Sequence, residues 1–130
     1  MTKLVVDASA WIEYFEGSFI GKEFKDYIEN ADNEVWTSSV TVAELVSKAV
    51  QKSLNMPIVV SGLKSLTNID SPEYGVAFSA GQIHADIRKS VKKFSLTDAF
   101  VLATARSKGA RILTCDYDFK GFKEAILIPK

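Results

Sequence analysis

Short apolar runs alternate along this chain with longer segments whose apolar residues recur at helical spacing. Leu4-Val5-Val6 is an unbroken apolar run that stops at Asp7, the pattern of a buried strand. Ala8 to Phe15 and Phe19 to Asn30 read as helices, broken at Gly17. Glu34 to Thr37 reads as a second strand. In residues 39–52, Val42, Ala43, Leu45, Val46, Ala49 and Val50 share one arc at 100° per residue, and Glu44 falls outside it. Met56 to Leu66 reads as a helix with Pro57 in its first turn, Thr67 to Asp70 as a short strand ended by Ser71-Pro72, and 75–90 as a further helix. Ser95-Leu96-Thr97-Asp98 is a start signal for a helix over Thr97 to Lys108, and Gly109 is its stop. Arg111 to Thr114 and Ala125 to Ile128 are the last two strands.

Strands alternating with helices predict crossover connections and a mostly parallel sheet covered on both faces. The expected architecture is an α/β fold, a three-layer α/β/α sandwich, with residues 1–130 forming one domain. In open parallel sheets, ligands bind beyond the carboxyl ends of the strands. Two strands end in acids at that edge, Val5-Val6-Asp7 and Leu113-Thr114-Cys115-Asp116. Parallel strands point the same way, so these two carboxylates are expected to converge.

Four acids carry the candidate chemistry, each with a competing structural role. Asp7 is placed to cap the helix that begins at Ala8. Glu44 is spaced for a surface pair with Lys48 at i,i+4. Asp98 is the only charge between Leu96 and Ala105. In so apolar a helix a carboxylate needs a partner, a metal or an exposed helix end, and Ser95 three residues earlier offers a capping box. Asp116 lies just past a strand in an Asp-rich turn, with Asp118 as the second choice there.

Charge repulsion decides what such a set requires. Two carboxylates about 4 Å apart repel by about 4 kcal/mol in an effective dielectric near 20. Three or four together protonate or splay apart unless a cation neutralises them. All-oxygen ligands favour Mg2+ or Mn2+ over zinc, and Mg2+ usually completes its shell with water and substrate phosphate. The set therefore points to phosphoryl chemistry.

The bulk numbers limit the classes that remain. Sixteen basic and sixteen acidic residues cancel, which argues against broad coating of nucleic acid but not against local hold on a phosphate backbone. With 47% hydrophobic and 25% charged residues, a disordered chain is disfavoured. No apolar run approaches the roughly 20 residues of a membrane span, and the stretch before Asp7 is too short for a signal peptide. The lone Cys115 fits a reducing, cytoplasmic setting and alternates as a buried filler. His84 reads as a packing or surface residue. The run Arg88-Lys89-Ser90-Val91-Lys92-Lys93 reads as a solvated face that also suits RNA phosphates, and the aromatic residues Trp11, Tyr14, Phe15, Phe19 and Phe24 suit both a core and a partner surface.

Taken together, Leu4-Val5-Val6-Asp7-Ala8-Ser9-Ala10-Trp11-Ile12, Thr41-Val42-Ala43-Glu44-Leu45, Thr97-Asp98-Ala99 with Leu102-Ala103-Thr104-Ala105, and Ile112-Leu113-Thr114-Cys115-Asp116-Tyr117-Asp118-Phe119 resemble a PIN domain. The likeness is to the VapC-type toxins of prokaryotic toxin–antitoxin pairs and runs from Leu4 to Ile128, with little contributed by residues 53–90. It implies a five-stranded parallel sheet and a Mg2+- or Mn2+-dependent ribonuclease. It carries the acidic site onto Asp7, Glu44, Asp98 and Asp116, with hydroxyls at Ser9 and Thr114. It also implies an RNA substrate, a homodimer and a cognate antitoxin partner. Two rivals differ in class. A phospho-acceptor receiver domain has similar length and acids, but needs adjacent acids after the first strand and an acceptor for which Asp70 is the sole candidate. A PIN-like module that only binds partners or RNA, or that works in RNA processing, is the other.

Overall fold

The computed structural model of the chain describes residues 1–130. Five strands form one wholly parallel sheet: β1 (Lys3–Val6), β2 (Glu34–Ser38), β3 (Asn68–Asp70), β4 (Arg111–Thr114) and β5 (Ala125–Leu127), in the spatial order β3-β2-β1-β4-β5. Six helices connect them: α1 (Ala8–Glu16), α2 (Gly21–Ile28), α3 (Ser39–Gln51), α4 (Met56–Leu66), α5 (Tyr74–Ile87) and α6 (Leu96–Lys108). The expected α/β architecture and its five parallel strands are present.

β1 is the central strand, and its three apolar residues explain the layering. Leu4 and Val6 point into a core shared with Trp11, Phe24, Leu45 and Val59, from the helices α1 to α4. Val5, one residue out of phase, points into the opposite core with Phe94, Leu102 and Phe119. Because side chains alternate along a strand, a run that is apolar at every position belongs to a sheet covered on both faces. All three residues are fully buried.

Local signals set the helix ends. Gly17 and Gly109 close α1 and α6 in the left-handed conformation, with φ of 65° and 61°, which only glycine adopts without strain. Ser95 and Asp98 form a complete capping box at the start of α6. Asn55 caps α4, with proline in its first turn.

One expectation is corrected. The buried face of α3 is narrower than the apolar arc in its sequence: Val50 is 60% exposed and Ala43 is also exposed, whereas Thr41, Leu45 and Ala49 are buried. Only the i, i+4, i+8 stripe is fully buried, with Val42 packed against the core at its margin, because α3 packs along one narrow face. Glu44 then sits at the margin of that stripe rather than in open solvent.

Sheet order positions the chemistry. β1 lies between β2 and β4, pairing Lys3–Val5 with Glu34–Trp36 and Leu4–Val6 with Arg111–Leu113. The residues following β1 and β4 therefore emerge side by side at the carboxyl edge of the sheet. The chain leaves β1 toward β2 on one side and returns to β4 on the other, and such a reversal opens a crevice for ligands.

Candidate active site

Asp7 is the residue on which the edge is built. Its backbone continues the β1–β4 ladder, with Asp7 N–H donating to the Leu113 carbonyl at 3.0 Å. Its side chain caps α1 as expected: Oδ1 accepts from Ala8 N–H at 2.9 Å. Oδ2 accepts from the Ser9 hydroxyl at 2.8 Å and the Thr114 hydroxyl at 2.9 Å. Those two hydroxyls also accept backbone N–H groups of the turn after β4, Ser9 from Cys115 at 3.2 Å and Thr114 from Asp116 at 2.9 Å. One carboxylate thus holds the β4 turn in place through two hydroxyls more than a hundred residues apart in the chain.

Asp116 begins a single 3-10 turn, Tyr117–Phe119, and its Oδ1 accepts from Asp118 N–H at 2.9 Å. The buried Phe119 ring anchors this turn against Phe94 at 5.8 Å between centroids. Phe94 directly precedes Ser95, so the same aromatic pair fixes the start of α6. There Asp98 Oδ2 accepts from Ser95 N–H at 2.9 Å, while Asp98 N–H donates to the Ser95 hydroxyl at 3.0 Å. The second oxygen of Asp98 takes no hydrogen bond from the protein. Capping therefore leaves one oxygen of Asp98 free for another partner.

The result is a compact group. Asp98, Asp116 and Asp118 each offer a carboxylate oxygen within 4.8 Å of one another, a set able to hold a metal ion. Asp118, the second choice in its turn on sequence grounds, stands in this set. Asp7 and Glu44 do not; they border it. Asp7 feels the charges of both Glu44 and Asp116.

Electrostatics records the crowding. Asp7, 3% exposed, has its pKa pushed up to about 6, first by burial, then by the charges of Glu44 and Asp116, against the two hydroxyl hydrogen bonds that lower it. Asp98, 5% exposed, rises to about 7 through burial and then the charges of Asp7 and Asp116, partly offset by its bonds from Ser95. Burial and the charge of Asp116 raise Asp118 as well, with Lys93 opposing them. Carboxylates that resist ionisation together, lined by oxygens alone, fit a hard divalent cation.

Sequence reasoning missed Lys48 as part of this site. Its ammonium lies 3.0 Å from Glu44 Oε2, the i,i+4 pair read as a surface feature. Burial lowers the Lys48 pKa, yet Glu44 and then Asp7 and Asp116 raise it further, so it is held firmly protonated among the acids. The i,i+4 spacing was legible; the direction of α3 was not. Lys93 is the other cation at the rim, and neither Arg88, Lys92 nor Lys93 has an acid within ion-pair distance.

Other candidates resolve elsewhere. Asp70, the only possible phospho-acceptor, ends the edge strand β3 and pairs with Lys108 at 3.1 Å, whose ammonium lies 3.7 Å over the Trp36 ring. It takes no part in the acid group. Cys115 is buried with its thiol pKa raised, first by burial, so it is a poor nucleophile. His84 is half-buried on α5. Two clefts lie away from the acids: one of about 550 Å3 at the amino ends of β1 to β3, lined by Glu29, Asn33 and Thr67, and one of about 570 Å3 between α1 and α4, lined by Tyr14, Phe15 and Ile58. Trp11 and Phe24 are fully buried, whereas Phe19 is 84% exposed, so the early aromatics divide between core and surface.

The hydroxyl network has a measurable consequence. Thr114→Val removes one donor to Asp7 and the acceptor for Asp116 N–H at constant shape. It is expected to lower stability by about 1–3 kcal/mol, read as a fall in denaturant midpoint, because buried polar groups are left unmatched. A midpoint equal to the parent's would show that the network does not hold the turn.

The chain is 29% identical over 120 residues to ribonuclease VapC11 of Mycobacterium tuberculosis, covering 89% of this chain and 88% of that protein. In three dimensions it is similar to a chain of a toxin–antitoxin complex from Klebsiella pneumoniae, with a TM-score of 0.72, 22% identity and 95% of each chain covered. It is also similar to Mycobacterium tuberculosis VapC20, described as a sarcin-ricin loop cleaving toxin, with a TM-score of 0.70, 19% identity, and 93% of this chain and 97% of that one covered. At such identities these structures speak for the fold. The model of the PIN domain family matches residues 4–125, a span that takes in every acid described above, and the chain therefore belongs to the PIN domain family.

Proposed function

We propose that the chain is a Mg2+- or Mn2+-dependent endoribonuclease of the VapC type, acting as the toxin of a toxin–antitoxin pair. The observation that carries this reading is the convergence of Asp98, Asp116 and Asp118 beside the buried Asp7, at the carboxyl edge of the sheet. The likeness to ribonuclease VapC11 supports RNA as the substrate.

In this reading Asp7, Asp98 and Asp116 hold the divalent cation, with Asp118 in reach. When bound, the ion supplies a Lewis acid that offsets phosphate charge and makes water more acidic. The residues do the rest. Ser9 and Thr114 keep Asp7 in one orientation, and Ser95 does the same for Asp98. Glu44, its Oε2 held by Lys48, orients the attacking water. Attack of the water oxygen at phosphorus is in line: the new P–O bond forms as the bond to the 3′ oxygen breaks, the water's proton passes to solvent and the departing oxygen takes a proton from solvent. No covalent enzyme intermediate is needed.

The test is cleavage of single-stranded RNA with Mn2+ and its loss in excess chelator. An intact RNA under Mn2+ would overturn the reading in favour of a binding-only module. The unpaired Lys93 at the rim contacts RNA phosphate on this view. Lys92→Gln with Lys93→Gln is expected to raise KM several-fold with little change in kcat. It should also reduce the salt slope of log(kcat/KM) by about 0.7 per lost contact, the value for single strands. A salt slope equal to the parent's would exclude the contact.

The chain works as one domain over residues 1–130 in this proposal and acts in the cytoplasm. No helix is long and apolar enough to cross a membrane. A homodimer and a cognate antitoxin are its proposed partners. Support comes from the toxin–antitoxin complexes among its structural neighbours and from the exposed side chains Phe19, Ile58, Val60, Tyr74 and Phe78. Copurification with the product of an adjacent short reading frame would test the pairing.

A further inference from the structure

Glu44 stands apart from the other acids in what it touches. Its Oε2 is paired with Lys48 at 3.0 Å, while its Oε1 is enclosed and has no hydrogen-bond partner. The side chain is only 24% exposed. The compact carboxylate group contains Asp98, Asp116 and Asp118, and Glu44 is not among them. Asp7 already accepts three hydrogen bonds, from Ala8, Ser9 and Thr114, which leaves it little capacity to bridge two ions. Nucleases that use two ions hold them about 3.5–4 Å apart, clamped by shared carboxylates. Here the space beside Glu44 is taken by an ammonium tethered one helical turn away on the same helix.

We propose that Lys48 is the second cation of this site: its ammonium fills the place beside Glu44 that a second divalent ion would occupy, so that one divalent ion binds per chain. This rests on the ribonuclease reading for its purpose but not for its geometry. Five carboxylates border the site: Asp7, Glu44, Asp98, Asp116 and Asp118. One divalent ion and Lys48 neutralise three of those charges. Without Lys48, Glu44 is a half-buried carboxylate with one enclosed, unmatched oxygen and no counter-charge. Such a group attracts a second ion. Lys48 is therefore a positioning residue that fixes both the ion count and the orientation of Glu44.

The experiment is a Mn2+ titration followed by electron paramagnetic resonance of the free ion, on the intact protein without RNA. The parent is expected to bind one Mn2+ per chain, Lys48→Met two, and Lys48→Arg one, since arginine retains the charge. Lys48 has a 46% exposed side chain, so Lys48→Met is expected to fold, and a melting curve checks it. Two ions in the parent would overturn the proposal, and so would one ion in a folded Lys48→Met protein. The ribonuclease reading stands or falls separately: parent protein that binds one Mn2+ but leaves RNA intact defeats that reading alone. Parent protein that cleaves RNA with two ions bound defeats only the role of Lys48.

Discussion

Asp98→Asn is expected to reduce RNA cleavage by at least about a hundred-fold while leaving the metal-free fold as stable as the parent or more so. Residues that merely support a ligand cost about 10–100-fold when removed, and a carboxylate that itself holds the ion lies beyond that range. A hundred-fold loss is about 2.7 kcal/mol of transition-state stabilisation. The stability half of the expectation comes from the capping box. The amide that replaces the carboxylate keeps a carbonyl oxygen to accept from Ser95 N–H, and the backbone N–H of the same position still meets the Ser95 hydroxyl. What disappears is a charge that burial and the neighbours Asp7 and Asp116 oppose. The substitution therefore separates the two roles of this residue, which a change to alanine would not. Measured kcat/KM within tenfold of the parent would remove Asp98 from the chemistry and leave it as a cap. A large fall in melting temperature would reverse the assignment in the other direction, making Asp98 chiefly structural.

The fold was legible wherever a local rule and the global arrangement agree. The central strands are continuous apolar runs, and Ser95, Asp98, Gly17 and Gly109 mark helix ends by chemistry that acts within a few residues. β3 and α5 are weaker signals for a physical reason. Both lie at the margin: Ile69 on β3 is 46% exposed, and Ala80 is the only fully buried residue of α5. Marginal elements carry little hydrophobic periodicity, because one face meets solvent on either flank. Of the candidate acids, Asp7, Asp98 and Asp116 could be singled out in the sequence because strand ends and an isolated charge in an apolar helix are visible in one dimension. The Ser9–Asp7–Thr114 network pairs residues more than a hundred apart, and no local pattern encodes it. The same holds for Lys48. Its i,i+4 spacing from Glu44 is equally compatible with open solvent, and only the packing of α3 turns the pair toward Asp7 and Asp116. Asp118 stands in the compact group, held at a fixed distance from Asp116 by a single tight turn, and Glu44 stands outside it.

Divalent metal is expected to stabilise the protein strongly above pH 7 and hardly at all near pH 5. Asp7 and Asp98 have folded-state pKa values of about 6 and about 7, above the 3.8 of an unperturbed aspartate. A raised pKa means that the folded chain holds protons the unfolded chain has already released. That contribution is fully present below about pH 4 and is lost as pH rises through 6 to 7. For the fully buried Asp7 the shift from 3.8 to about 6 corresponds to about 3 kcal/mol, and the two acids share their repulsion, so their effects do not add. The metal-free protein should thus be destabilised by alkali, the reverse of a protein held together by salt-bridged carboxylates. A divalent cation binds the ionised forms and must displace those protons at low pH. Its apparent affinity rises with pH up to about 7 and then levels off, as fewer protons remain to be released. At a concentration of a hundred times Kd, the gain is about 2.7 kcal/mol, which for a chain of this size raises Tm by roughly 8–15 °C. Melting curves with Mn2+ and with chelator at pH 5, 6, 7 and 8 measure this directly. Equal metal-induced shifts at pH 5 and pH 8 would place the ion away from Asp7 and Asp98. A metal-free Tm that climbs between pH 5 and pH 8 would mean that these two carboxylates are not the crowded pair the geometry describes.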